Sequence, residues 1–256
     1  GRLLDDSLVR MYKSIFAYGS ADVQINDRLL NAEYANRLVL EGTRSLCPPT
    51  DKLPLCRYEP NGSDFLLTGT KELSVYGTAK GIDNSRQNLN GMSFNSTAPA
   101  GGKEGEQAYV FISIDVYNRW DYDAATGRYK LFGDNLYLDK GQEEQYAPMM
   151  DRLTEEQIMA DNLVILVARH EYYQRPPAEI VDILLSGTGP AYAFRDGQMY
   201  EVTWNRPTLD SVIYLTFADG TRYPYKPGNT WYHVIGQTST ITDKEDGVWR
   251  FQFAFP

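Results

Sequence analysis

The sequence of 256 residues contains few of the side chains on which most catalytic and metal-binding sites depend. It has two histidines, His170 and His233, and two cysteines, Cys47 and Cys56. Neither histidine has a partner at helical spacing, and the Cys-x-x-Cys redox spacing is absent, so we expect no metal and no cofactor. The Gly-x-Ser-x-Gly motif and a glycine loop for phosphate binding are also missing, which argues against a serine hydrolase of that type and a nucleotide site.

Clusters of basic residues and long apolar runs are missing too. The formal net charge is −9 and no run of Lys and Arg occurs, so we expect no nucleic-acid partner. The longest apolar run, 163–168, is far shorter than the roughly 20 residues that span a bilayer, so we expect no transmembrane segment. The sequence starts Gly1-Arg2-Leu3 without an initiator Met, and we expect a processed or truncated chain.

The two cysteines flank a loop that contains three prolines, Cys47-Pro-Pro-Thr-Asp-Lys-Leu-Pro-Leu-Cys56. Proline excludes a helix here and favours bends. Two thiols without a nearby histidine are too few for a structural zinc site. We predict a disulfide between Cys47 and Cys56, with two free buried thiols as the alternative. Because disulfides persist in oxidising compartments, we expect an extracellular or cell-surface protein, secreted or anchored to a membrane.

Hydrophobic periodicity predicts an α+β chain in which helices come first and strands follow. Helices are predicted over 4–18, 23–30 and 70–78, in a part that is rich in loops up to residue 106. From residue 107 the pattern favours β-structure, with one short helix at 153–159 and strands or hairpins over 109–116, 119–132, 163–168, 179–185, 191–194, 199–204, 212–217, 231–235 and 248–255. We therefore predict a helix- and loop-rich N-terminal part, 1–106, and a β-rich C-terminal part, 107–256, with a mostly antiparallel or mixed sheet.

Carboxylates are the groups that keep a catalytic interpretation open. Asp121 and Asp123 begin like a calcium loop, but the bidentate Glu is missing, so we interpret them as part of a hairpin turn. A hydrolase pair would need two carboxylates that face each other across a cleft, and the sequence leaves four candidates, Asp115, Glu201, Asp210 and Asp219. The 19 tyrosines fit either an ordinary sheet surface or a binding face.

Three ordered blocks in the C-terminal half carry a family pattern. They are 189–198, which contains Phe-Arg-Asp-Gly, 201–204, which ends in Thr-Trp, and 225–231, which contains Pro-Gly-Asn-Thr-Trp. These blocks resemble the C-terminal domain of the YerB family, bacterial lipoproteins or secreted proteins of undefined function. The segments 117–132 and 160–165 look like the same domain. The resemblance implies that 107–256 is this β-rich domain and that 1–106 is a truncated N-terminal α/β part, whereas the cysteine loop is not part of the pattern.

The same blocks, together with Arg206 shortly after the second, supply the candidate ligand-binding residues, which are Arg195, Asp196, Glu201, Trp204, Arg206 and Trp231. Charges beside aromatic rings indicate either a ligand site or a cluster that holds the fold, in which Trp204 and Trp231 pack together. We expect a binding or structural module without catalysis. The alternative is a cell-envelope hydrolase or transferase that uses carboxylates. The expected partners are the upstream fragment of the same protein, another envelope protein or a second copy of the chain.

Overall fold

The computed structural model describes residues 1–42, 46–48, 53–58, 65–113, 116–134, 144–177 and 179–255. Asp115, one of the candidate carboxylates, therefore lies outside the described residues. The chain forms two compact units, which we call unit 1 (1–90 with 208–212) and unit 2 (91–207 with 213–256). The domain boundary at residue 106 stays a prediction from composition.

Unit 1 contains the α-helices of the described chain and two small sheets. The helices are α1 (Leu3–Tyr12), α2 (Val23–Leu30) and α3 (Thr70–Ala79), with a 3₁₀ turn at Ala35–Arg37. Strand β1 (Phe16–Tyr18) pairs in parallel with β2 (Leu38–Leu40), and β3 (Cys56–Arg57) pairs antiparallel with β4 (Leu66–Leu67). The predicted helices at 23–30 and 70–78 are confirmed.

The first helix is shorter than predicted, since it ends at Tyr12 and not at residue 18. Lys13 adopts a left-handed conformation with φ of 46°, which terminates the helix. Phe16–Tyr18 then pairs with Leu38–Leu40, so the apolar spacing that suggested a longer helix belongs partly to a strand.

The predicted disulfide is confirmed, with 2.02 Å between the sulfur atoms of Cys47 and Cys56. The next residue, Arg57, forms a buried ion pair with Glu41, in which its Nε donates to Oε1 at 2.7 Å. A buried pair of this kind needs both partners, because either charge alone would be desolvated without compensation.

Unit 2 consists almost entirely of strands. In chain order they are β5 (Ser93–Phe94), β6 (Lys103–Glu104), β7 (Gln107–Ser113), β8 (Val116–Asp123), β9 (Arg128–Asp134), β10 (Tyr146–Pro148), β11 (Met159–Ala160), β12 (Asn162–Gln174), β13 (Ile180–Leu184), β14 (Gly187–Arg195), β15 (Gln198–Arg206), β16 (Tyr214–Thr216), β17 (Pro224–Tyr225), β18 (Thr230–Gly236), β19 (Thr240–Glu245) and β20 (Val248–Gln252).

Two seven-stranded sheets pack face to face in unit 2. The first has the order β10-β9-β8-β7-β20-β19, with β11 also paired to β9. The second has the order β13-β12-β14-β15-β16, with β18 paired to β12 and β6 paired to β15. Most pairs are antiparallel, whereas β12–β18 and β7–β20 are parallel, so the predicted mixed sheet is confirmed.

The core of unit 2 lies between these sheets. The first sheet contributes Trp120, Tyr129 and Phe251, and the second contributes Ile165 and Phe194, all of them fully buried. Side chains alternate between the two faces along each strand, so these residues lie on the inner faces of the sheets. The last strand, Val248–Gln252, shows this period of two, since Trp249 and Phe251 are buried and their neighbours are not.

The predicted short helix at 153–159 is wrong. The carboxylate of Asp151 accepts hydrogen bonds from the backbone N–H groups of Leu153 and Thr154, which fixes a turn, and Met150 bridges to Gln157. Since the described helices lie in unit 1 and are short, the chain as a whole is largely β, and the α+β description holds only in part. Within the described ranges, no helix is long and apolar enough to cross a bilayer.

Candidate functional site

The polar residues of the family-like blocks meet at one end of the sandwich in unit 2. Asp196 and Gly197 both have positive φ, 51° and 73°, as the predicted Asp-Gly hairpin turn requires. The Asp196 carboxylate accepts from Arg195 Nε at 2.9 Å and from Lys226 Nζ at 2.8 Å. Lys226 Nζ also donates to the carbonyl of Gly127 at 2.6 Å. Asp196 thus connects two cations from different blocks.

Arg195 is completely buried and works as a cross-link between chain segments. Its guanidinium donates to the carbonyl oxygens of Asn95 and Pro224 at 2.9 Å and of Ser96 at 3.1 Å. Together with Asp196, these acceptors satisfy the charged side chain inside the protein. These contacts indicate that Arg195 stabilises the fold.

The third block is held by two residues that the sequence reasoning missed. The amide of Asn162 accepts from the backbone N of Lys226 and donates to its carbonyl, both at 2.8 Å. The Asp161 carboxylate accepts from the backbone N of Asn229 at 2.8 Å. Gly228 is required between them, because its φ is 141° and a Cβ there would lie 2.2 Å from Asp161 Oδ2. The only sequence signal for these contacts was that both segments belong to the family-like pattern.

The two candidate tryptophans lie on opposite faces of the second sheet, so the expectation that they pack together is wrong. Trp231 pairs with Leu163 on the core side, and its ring lies 5.3 Å from that of Trp120. Trp204 is on the other face, where its Nε1 donates to the carbonyl of Val167 at 2.9 Å. Gly189 pairs with Trp204 and leaves room for the indole.

The remaining two candidates are also separated. Arg206 is buried and donates to the carbonyl of Leu185 at 2.7 Å. Glu201 is exposed and pairs with Lys103 at 2.5 Å. The structure therefore brings Arg195, Asp196 and Trp231 to one end of unit 2. Of the predicted set, Glu201 and Trp231 are the exposed members, whereas Arg195, Trp204 and Arg206 are buried.

Glu201 lines a groove of about 420 Å³ on the surface of the second sheet, which we call the β14–β15 groove. Alternation places Tyr192, Glu201 and Thr203 on the same face as the core, beyond the part that the first sheet covers. Among the described residues, the lining consists of Thr188, Gly189, Pro190, Ala191, Tyr192, Glu201, Val202, Thr203 and Ala218.

The groove combines an anchored aromatic ring with a few polar groups. The Tyr192 ring contacts Phe251 of the core edge-on, with 5.3 Å between centroids. Burial and the nearby charge of Glu201 raise the pKa of the Tyr192 phenol, so it stays a neutral hydrogen-bonding group. The Glu201 carboxylate is balanced by Lys103, whose ammonium also lies 5.6 Å from the Trp249 ring centroid. Among the lining residues, Glu201 is the single acidic side chain, and none is His.

Both histidines are buried in side-chain packing. His233 Nε2 accepts from Trp120 Nε1 at 3.0 Å, and burial lowers the pKa of His233 to about 4. The Nδ1 atom of His170 lies 3.0 Å from the carbonyl of Ala168, and burial lowers the pKa of His170 as well.

Asp121 and Asp123 lie on the outer face of the first sheet. Burial raises the pKa of Asp121, which pairs with Arg119 at 2.9 Å. The pKa of Asp123 is lowered, first by its hydrogen bond from Lys130 at 2.8 Å. Asp123 Oδ1 also accepts from the backbone N of Ala125 in the predicted hairpin turn. In the described part of the chain, no group of three or more His, Cys, Asp or Glu side chains is placed to hold a metal ion.

Comparison with known proteins supports the family resemblance. Residues 108–232 match the model for the C-terminal domain of a protein family of unknown function, DUF3048. The fold is similar to the crystal structure of YerB protein from Bacillus subtilis, with a TM-score of 0.67 and 18% sequence identity over 92% of this chain and 72% of that chain. No curated protein sequence matches significantly. The resemblance to YerB is therefore confirmed, and at this identity the structural match speaks for the fold alone.

Proposed function

We propose that this chain is a non-catalytic binding module that acts outside the cytoplasm, and that the β14–β15 groove takes a neutral glycan. The observation that carries the proposal is the groove itself, an open apolar surface with one tyrosine, two threonines and a charge-balanced carboxylate. Sites for small molecules commonly combine an apolar surface with a few orienting polar groups.

The groove chemistry matches a sugar better than an ion. Tyr192 offers an apolar ring with a polar tip, which suits the mixed C–H and O–H surface of a pyranose. The Glu201 carboxylate accepts hydrogen bonds from hydroxyl groups, and Lys103 cancels its charge. A strongly charged ligand would therefore gain little from this surface.

Two features support binding without turnover. Carboxylate-based glycoside hydrolysis needs a second carboxyl group across the bond, and Glu201 is the one carboxylate among the described residues that line the groove. The Glu201 side chain is 60% exposed and paired with Lys103, so water competes for the hydrogen bonds to its carboxylate.

The extracellular location is supported by the Cys47–Cys56 disulfide, because such bonds are rare in reducing compartments.

The test is a titration of the purified chain with tetra-N-acetylchitotetraose, a neutral oligosaccharide, followed by calorimetry and by the backbone amide signals of Tyr192 and Thr203. Glu201→Gln should weaken binding about tenfold, since a hydrogen bond to a charged group contributes about 1.5–3 kcal/mol. The matched control is Glu171→Gln, which removes a similarly exposed carboxylate, paired with Arg169, on β12. Equal affinity of both variants, or no saturable binding, would contradict the proposal.

One observation favours a second candidate, an envelope hydrolase. Asp121 and Asp123 lie two residues apart on one strand face, and their pKa values are shifted in opposite directions. Such divergence is typical of an acid and base pair. Release of reducing ends from cell-wall fragments, retained in Glu201→Gln and lost in Asp121→Asn, would support this candidate over the binding module.

A further inference from the structure

Unit 1 contains a polar groove formed by two adjoining cavities. The first has a volume of about 290 Å³ and the second about 220 Å³, and Lys13 and Asp210 line both. We call them together the Lys13–Asp210 groove. The first cavity is completed by Val9, Arg10, Glu33, Tyr34, Asn36, Arg37 and Asp83, and the second by Gln87, Asn88, Asn90, Thr208, Ser211 and Val212.

The wall of the first cavity is held rigid by a buried carboxylate. Asp6 is 3% exposed and accepts from Arg28 at 3.1 Å and from the Tyr34 hydroxyl. It also pairs with Arg10 at 2.5 Å, while Arg10 Nε donates to Glu33 at 2.7 Å and its guanidinium lies over the Tyr34 ring. Arg10 is therefore fixed and neutralised, so it shapes the cavity without offering a free charge.

The second cavity is lined mainly by neutral polar groups. Gln87 donates through its amide nitrogen to the carbonyl of Met11 and accepts from the backbone N of Asn88. The side chain of Asn88 accepts from the backbone N of Asn90 at 2.9 Å. These bonds leave donor and acceptor positions on the amides, because each amide group can form about four hydrogen bonds. Amides that both donate and accept are complementary to peptide bonds.

Two opposite charges stand at the junction of the cavities without satisfying each other. Lys13 lies at the end of α1 in a left-handed conformation, which projects it from the helix terminus. The pKa of Asp83, which lines the first cavity, is lowered by its hydrogen bonds from Ser85 and further by the charges of Arg37 and Lys13. Among the described residues, neither the Lys13 ammonium nor the Asp210 carboxylate forms a hydrogen bond or an ion pair. A ligand that carries both charges could pair with each, and a ligand with one charge would meet one repulsive group.

We infer that the Lys13–Asp210 groove binds a short polar peptide with free termini. Lys13 pairs with the peptide carboxylate, Asp210 pairs with its ammonium group, and the amides of Asn36, Gln87, Asn88 and Asn90 bond to the peptide backbone. The inference is independent of the glycan proposal, because all residues of this groove lie in unit 1.

The experiment titrates the whole chain with the tripeptide Ala-Gln-Ala in three forms: with free termini, with an acetylated N-terminus, and with an amidated C-terminus. We expect the free peptide to bind at least about tenfold more tightly than either capped form, as expected for loss of one charged contact. Lys13→Gln should weaken the free peptide by about the same factor and leave the amidated peptide unaffected. Asp210→Asn should likewise weaken binding of the free peptide by about the same factor and leave binding of the acetylated peptide unaffected.

The control is Lys71→Gln, which removes an exposed lysine on α3, away from the groove lining. This variant should bind like the unmodified chain, and circular dichroism should show that all three variants are folded. Binding that does not depend on the free termini, equal losses in Lys71→Gln and Lys13→Gln, or no binding of the free peptide at about 10 mM would overturn the inference.

Discussion

Acidification tests the buried position of His233 in a quantitative way. Burial lowers the pKa of this side chain from an ordinary 6.5 to about 4, so it is neutral in the folded protein and takes up a proton more readily when unfolded. Stability is therefore complete above pH 6.5 and is lost as the pH falls towards 4. Integration between these values gives a loss of about 2 kcal/mol at pH 5 and about 3 kcal/mol at pH 4.

The variant His233→Gln isolates this contribution. Its amide oxygen can still accept from Trp120 Nε1, but it does not titrate. Urea unfolding, followed by tryptophan fluorescence from pH 7.5 to 4, should show a smaller loss of stability in the variant, with a difference of about 2 kcal/mol at pH 5. Carboxylates and His170 titrate in both proteins, so their effect cancels. Parallel pH profiles, or a histidine ¹H signal of His233 that titrates above pH 6, would refute the reasoning.

Four further variants test other contacts, each by denaturant unfolding. Removal of the disulfide in Cys47→Ala/Cys56→Ala should cost unit 1 about 2.5 kcal/mol, because a loop with a separation of 9 residues is no longer closed in the unfolded chain. Tyr129→Phe should cost about 1–2 kcal/mol, because its hydroxyl donates to a buried carbonyl, whereas Tyr223→Phe should change stability by less than about 0.5 kcal/mol, because that hydroxyl has no partner in the described chain. Arg195→Lys should cost about 3 kcal/mol or more, because an ammonium group cannot serve all four acceptors; a neutral outcome would mean that the cross-link is dispensable.

The sequence predicted the structure best where independent local patterns agree. The hairpin of β8 and β9 combines alternating residues with a turn at Asp123 and Gly127, and both signals agree. The first helix was predicted to reach residue 18 because the apolar residues at 16–18 fit a helix or a strand equally well. Their parallel pairing with 38–40 decides for a strand, and nothing in the local sequence indicates that pairing. The helix predicted at 153–159 does not form, because the Asp151 carboxylate accepts a hydrogen bond from the backbone N–H of Leu153 and stabilises a turn there.

The candidate residues were harder to predict, since a strand pattern gives the face of a residue but not what covers it. Trp204 and Arg206 share their face with Arg195, and all three are buried. Glu201 lies on the core-facing side, yet it is exposed because the opposing sheet does not extend that far. The alternation along a strand carries no information about how far the opposing sheet extends, so the exposure of Glu201 could be learned only from the structure.

A polar group that is fully satisfied within the protein is poorly suited to bind a ligand, because each new contact would replace an existing one. Arg195 and Asn162 are in this state, which explains why family-like blocks can be specific for a fold without marking a binding site. The side chains of Lys13 and Asp210 are in the opposite state: both line cavities, and neither forms a hydrogen bond or an ion pair among the described residues. Their spare bonding capacity, and not their resemblance to a motif, is what makes them candidates for recognition.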